Sequence, residues 1–331
     1  MRATTVRAIA AFVILCAFAT PALADCNPLT LITSVDLTMD ADKTAALVPV
    51  TLQGQPKFLL LDTGGAMTVL TPQAADELKL DRIRGNFKIF NVSGEMSDTF
   101  VHTSRVLGRL TAKDIVFVIQ PGSEPLGDDS RIAGVLAPDI LQHYDVDIDY
   151  GAGKLNLLSP DHCEGKVIYW KTDTVAVVPM HLMDSGHIQI QVELDGKPVL
   201  AMLDTGAYNT TLTRPVAEHD FGLTMGTPDT PATGSLQDLK SATIYRHTFK
   251  TLAFEGIAVS NVRVDIIPDM NRGVLLENAT ADTGTHIVGV TQNEASQPML
   301  IGMNILRHFH IYIAYKEHKL YITPAAPPAP H

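Results

Sequence analysis

The chain has 331 residues, 46% of them hydrophobic and 18% charged, which is enough apolar material for a sizeable buried core and excludes disorder as the main state. Its formal charge of −11, from 25 Lys+Arg against 36 Asp+Glu, comes with no Lys/Arg-rich block. That balance argues against gripping phosphate backbones or anionic lipid through a basic patch, so nucleic acid is not an expected partner.

Arg2 and Arg7 precede an apolar run from Ala8 to Ala19, too short to span a bilayer, and Ala22-Leu23-Ala24 then places small residues where a signal peptidase reads. Residues 1–24 are therefore expected to be a signal peptide, with a mature start near Asp25 and export to the periplasm or beyond. Losing two Arg leaves 23 Lys+Arg against 36 Asp+Glu, a formal charge of −13. No later apolar stretch reaches spanning length, so no membrane association is expected after cleavage. Cys16 lies inside the signal; export leaves Cys26 and Cys163, an even pair in a compartment that permits disulfides, and a bridge between them is expected.

From there the chain is written twice. Val48–Leu70 and Ile190–Leu212 align without a gap at an offset of 142 and share 10 of 23 residues, among them Gly54/Gly196, Pro56/Pro198, Leu61/Leu203 and Thr68/Thr210. A second block, Val135–Leu157 against Leu300–Ile322, aligns at an offset of 165 with 7 identities, including Ile140/Ile305, Ile148/Ile313 and Tyr150/Tyr315. Two lobes follow, 25–165 and 166–323, the second with a surface insertion at about 269–298, rich in Asn, Thr, Gly and Asp. Alternation in 48–52 and 190–194, turns at 53–56 and 195–198, and the apolar runs 58–61 and 199–203 predict short strands. Helix starts are predicted at Thr71-Pro72 and Thr213-Arg214-Pro215, and near 138–144 and 304–308. Residues 324–331, rich in Pro and Ala, read as a disordered tail.

Both copies deliver Asp-Thr-Gly at the end of a buried strand: Asp62-Thr63-Gly64 and Asp204-Thr205-Gly206. A carboxylate there must be hydrogen-bonded or paired, and its presence in each repeat suggests that the two meet. Like charges a few Å apart cannot both ionise, so one proton is shared, giving a base for water and an acid for a carbonyl oxygen.

The doubled motif resembles the aspartic peptidases, particularly bacterial exported relatives in which retropepsin-like lobes are fused into one pepsin-like chain. The resemblance covers nearly all of 30–323. It implies an all-β acid-protease fold, two β-barrel-like lobes related by a pseudo-two-fold with a cleft between them, and an endopeptidase that needs no cofactor. It also implies a polypeptide substrate with apolar residues flanking the cut, and a complete site in a monomer. Asp62 and Asp204 would hold the attacking water, Thr63 and Thr205 would interlock the loops, and Gly64 and Gly206 would let backbones approach the carboxylates. The family's apolar-apolar-Gly signature is present as Leu300-Ile301-Gly302, but lobe 1 has Val135-Leu136-Ala137, where an extra methyl can crowd the loop at about 1–3 kcal/mol. Ser93, Gly94 and Glu95 in lobe 1 and Thr233, Gly234 and Ser235 in lobe 2 resemble flap hairpins without a Tyr at the tip. Gly65 and Ala207 follow the motifs where pepsin-like enzymes often have Ser or Thr, which implies a milder preference for acid.

A third Asp-Thr-Gly, 282–284, follows no hydrophobic strand and reads as a surface turn. His308 and His310 could share a strand face, but two ligands without a carboxylate or Cys cluster are too few for a metal, and none is expected. The chain contains no HExxH, GxSxG, GxGxxG or GxxxxGK[ST]. The rival reading is a non-hydrolytic periplasmic peptide-binding module that retains the protease fold.

Overall fold

The computed structural model describes residues 26–40, 42, 44–90, 95–123, 126, 129–236, 239–268 and 297–326. The expected signal peptide, Ser93 and Gly94, residues 269–296 of the expected insertion with the third Asp-Thr-Gly, and residues 327–331 lie outside them.

The fold is all-β, with two closed six-stranded lobes. In lobe 1 the ring runs Ala46–Leu52, Gln55–Leu61, Ile132–Leu136, Val69–Leu70, Leu110–Ile119 and Met96–Leu107, and returns through the pairing of Thr51 with Val106. Lobe 2 repeats it with Ile188–Leu194, Lys197–Leu203, Met299–Ile301, Thr211–Thr213, Ile257–Ile267 and Leu239–Phe254, closed by Glu193 against Ala253. The hairpins that start each ring turn at Gln53-Gly54 and Asp195-Gly196, all four residues at positive φ between 48° and 76°. Two successive positive-φ residues match the right-handed twist of the flanking strands, and Gly takes the second position at no steric cost.

Short helices follow the motifs at Pro72–Glu77 and Arg214–His219, as the Pro positions predict. Thr71 caps the first through its Oγ1, which accepts from Ala74 N at 3.1 Å. Thr213 makes no such side-chain bond. The later helices are single turns, Pro138–Leu141 and Met303–Leu306.

The lobes join through an antiparallel sheet in the order Leu31–Asp36, Lys154–Leu158, Asp145–Asp149, Phe309–Ala314, Lys319–Pro324, Ala176–Leu182. At its centre Asp147 pairs with Tyr312, its equivalent by repeat, flanked by the pairs Val146–Ile313 and Ile148–Ile311, which the pseudo-two-fold exchanges. Pro324 closes its strand and Ala325 N donates to His308 O at 2.8 Å, so 324–326 belong to the lobe instead of a free tail. Cys26 and Cys163 are bridged, with Cα atoms 4.9 Å apart, tying the segment that precedes the strand Leu31–Asp36 to the connector between lobes. Among the described residues no helix is long and apolar enough to cross a membrane.

Candidate active site

Each Asp-Thr-Gly sits on a loop clamped by a threaded strand. Ile132–Leu136 lies parallel to Gln55–Leu61 and antiparallel to Val69–Leu70, so it passes between the two strands that flank Asp62. Met299–Ile301 does the same between Lys197–Leu203 and Thr211–Thr213. Leu61, Leu136, Leu203 and Ile301 have no exposed surface. The apolar residue before each Asp is an anchor, and Asp62 N and Asp204 N donate to Leu136 O and Ile301 O, both at 3.0 Å.

Thr63 and Thr205, both fully buried, lock the loops together. Thr63 N donates to Thr205 Oγ1 at 3.0 Å and Thr205 N to Thr63 Oγ1 at 3.1 Å. Each hydroxyl then donates across the axis, Thr63 Oγ1 to Leu203 O at 2.9 Å and Thr205 Oγ1 to Leu61 O at 2.8 Å. Four buried hydrogen bonds with no water competing for them fix the relative position of the two Asp.

The two carboxyls face one another. Gly64 N donates to Asp62 Oδ1 at 2.9 Å; Gly206 N and Ala207 N donate to Asp204 Oδ1 at 2.8 and 3.0 Å. A methyl built on Gly64 would lie 2.3 Å from Asp204 Cγ, and one on Gly206 would lie 2.4 Å from Asp62 Cγ. Each Gly is thus the floor beneath the opposite carboxyl, and only hydrogen fits there. Burial pushes the Asp62 carboxyl up from its ordinary 3.8 to about 7, helped by the neighbouring charge of Asp204. Burial also raises Asp204, opposed by the N–H groups of Gly206 and Ala207 and by the nearby buried His187. Asp62 and Asp204 are each partly exposed as residues. Two facing buried carboxyls, both raised, resist ionising together.

Behind the loops sit residues whose roles the sequence did not assign. Thr68 N and Oγ1 donate to Asp139 Oδ1 at 2.9 and 2.6 Å, and Ala137 N donates to Thr68 Oγ1 at 3.0 Å. In lobe 2, Thr210 N and Oγ1 donate to Asn304 Oδ1 at 2.9 and 2.7 Å, and Gly302 N donates to Thr210 Oγ1 at 3.1 Å. The signal for this bracket was present in the repeat, where Thr68 and Thr210 are identical and 139 aligns with 304.

Ala137 is fully buried and keeps the same backbone hydrogen bond as Gly302, so its methyl is absorbed. In lobe 2, Met303 N donates to Ala207 O at 2.8 Å and draws the loop over Gly302, where a methyl would meet Asn209 O at 2.7 Å and Ala207 O at 2.8 Å. Lobe 1 has Pro138 at that position, which has no N–H to draw the loop in, and Gly65 opposite leaves further room.

Of the expected flap residues, Thr233, Gly234 and Ser235 lie exposed on the hairpin strand Ala232–Leu236. Glu95 is exposed, with its carboxylate placed where a methyl on Gly122 would meet it at 2.3 Å. His310 does not join His308; it is buried against Asp147, with Trp170 stacked on its ring at 3.9 Å. Among the described residues no group of three candidate metal ligands comes together.

Residues 48–139 and 190–305 match the family model described as aspartyl protease. Among solved structures the chain is similar to an aspartic proteinase from Irpex lacteus, at 14% identity and a TM-score of 0.49, over 89% of this chain and 98% of that one. It is also similar to a retropepsin-like aspartic protease from Rickettsia conorii, at 18% identity and a TM-score of 0.31, over 48% of this chain and all of the other, 100%. No curated protein matches it. With both copies of the first repeat block and both Asp-Thr-Gly loops inside the matched residues, the chain belongs to the aspartyl protease family.

Proposed function

We propose that the protein is an aspartic endopeptidase that hydrolyses polypeptides with water activated between Asp62 and Asp204. The observation that carries this reading is the interlocked pair of loops, which sets two buried carboxyls with raised pKa face to face. The ionised carboxyl takes a proton from water while the protonated one gives its proton to the peptide carbonyl oxygen. The resulting tetrahedral diol then collapses as the amide nitrogen is protonated and leaves. Backbone groups of the flap hairpins add the substrate as an extended strand. One chain supplies both Asp, so a monomer suffices, and the expected signal peptide places the work outside the cytoplasm.

The sign of the pH dependence follows from Asp62. Its folded value of about 7 stands above the ordinary 3.8, so between these limits the native state holds a proton that the unfolded chain has lost. Cleavage is expected in mild acid and to fall as pH rises through about 7, and over the same window Asp62 subtracts stability that Asp62→Asn restores. The test is cleavage of a reduced, carboxymethylated protein by residues 25–331, run beside Asp62→Asn. A loss of about 10²–10⁴-fold is expected in the variant. Equal cleavage by both folded proteins sinks the mechanism, and saturable peptide binding without cleavage by either favours the binding-module reading.

A further inference from the structure

Equivalent positions beside the flap and catalytic loop of the two lobes differ in charge. In lobe 2 the strand Leu239–Phe254 descends from the flap hairpin, and at its base Arg246 Nε and Nη2 donate to Asp265 Oδ1 and Oδ2 at 2.7 and 3.1 Å. The Asp265 side chain is 8% exposed and that of Arg246 38%, so the pair presents its guanidinium outward. Arg246 N donates to Pro231 O at 3.0 Å, beside the flap strand. Asp265 N donates to Thr210 O at 2.9 Å, at the end of the loop that carries Asp204. Tyr208, two residues past Gly206 and 36% exposed, lies within electrostatic reach of the guanidinium. A cation with unspent N–H groups is thus mounted between flap and catalytic loop.

The same place in lobe 1 is apolar. Arg246 pairs with Asp265, which also pairs with Thr211; the corresponding ladder contacts are Phe100 with Val118 and Val118 with Val69. Ala66 stands where lobe 2 has Tyr208, and Phe100 packs near Phe87 with ring centroids 6.2 Å apart. An extended peptide crossing the pseudo-two-fold meets equivalent walls at positions equally far from the cut, so these two walls read mirror-related residues.

We propose that Arg246 determines specificity: held by Asp265 beside Tyr208, it selects substrates with an acidic side chain on the side of the cut facing lobe 2, while the Phe100–Val118 wall takes an apolar side chain at the mirror position. This rests on the peptidase reading of the cleft.

The test uses peptides identical except for Glu or Gln at each of three positions on either side of the cut, and reads the ratio of kcat/KM for Glu over Gln. The wild type is expected to prefer Glu about 10- to 100-fold at a position on one side only. The double variant Arg246→Gln/Asp265→Asn keeps an amide pair and strands no buried charge; its ratio is expected to fall to about 1. A wild-type ratio near 1 everywhere, or the same ratio in the double variant, overturns the proposal. Should the double variant fail to fold, Arg246→Lys takes its place, expected to lower the ratio, and an unchanged ratio is again fatal. If the wild type cleaves nothing, the same peptides are titrated by fluorescence anisotropy against Asp62→Asn with and without the double change. A Glu preference that disappears with Arg246 then sinks hydrolysis alone, and no Glu preference sinks the role of Arg246.

Discussion

The two Asp-Thr-Gly loops are braced by the same threonine hydrogen bonds to different residues. Lobe 1 braces its loop with Asp139 and packs Ala137 against Gly65; lobe 2 braces with Asn304 and packs Gly302 under Ala207. One oxygen accepts both Thr68 bonds in lobe 1 and both Thr210 bonds in lobe 2, within 0.1 Å of the same lengths. Duplication has kept the geometry at the axis and let chemistry drift one layer behind it. The drift has consequences: burial raises Asp139, while the Thr68 bonds, the Ile140 N–H and the charge of Arg105 oppose it. Burial in turn lowers Arg105, whose Nε and Nη1 find no hydrogen-bond partner among the described residues. Asn304 avoids these costs and uses its amide to donate to Arg263 O at 3.0 Å.

This comparison can be broken where the lobes agree and sharpened where they differ. The largest effect is expected at the shared floor: Gly64→Ala and Gly206→Ala each push a methyl into the opposite carboxyl, and cleavage should fall by about 10²-fold or more in both. An effect in one lobe alone would show that the carboxyls do not depend equally on the two loops. Next is Gly302→Ala, whose methyl meets two backbone oxygens that cannot swing away; thermal unfolding should show a loss of about 1–3 kcal/mol. The reverse change, Ala137→Gly, relieves no clash.

Replacing Asn304 with Asp transplants the lobe 1 solution without its Arg. A carboxylate would then oppose Arg263 O, and stability at neutral pH should drop by about 1–2 kcal/mol, recovering as acid protonates the new group. A flat pH response would mean that the loop around 304 relaxes to admit water. The smallest effect belongs to Ala137→Gly, about 0.5–1 kcal/mol through chain entropy, measured by the same melt.

Much of this was legible beforehand. The repeat offsets of 142 and 165 carry strand onto strand: Ala46–Leu52 onto Ile188–Leu194, Gln55–Leu61 onto Lys197–Leu203, Lys154–Leu158 onto Lys319–Pro324. Helix starts were legible because Pro fixes φ in the first turn, and the hairpin turns because Gly marks positive φ. The tail boundary was misplaced because composition says nothing of the ladder in which Pro324 sits opposite Phe309. Arg246 and Asp265 went unnoticed because they stand 19 residues apart and meet only when their strands pair.

What the sequence determined by itself is therefore local and repeated: two apolar strands each ending in Asp-Thr-Gly, the turns before them, and the equivalence of the lobes. These features rest on periodicity and backbone preference, which neighbouring residues set among themselves. Only the tertiary structure decided that Asp145–Asp149 pairs with Phe309–Ala314 to join the lobes, and that Thr63 and Thr205 exchange bonds across the axis. It alone decided that burial and a facing charge lift Asp62 to about 7. Desolvation and Coulomb repulsion depend on what surrounds a group in space, and a residue 142 positions away enters that environment only when the chain folds.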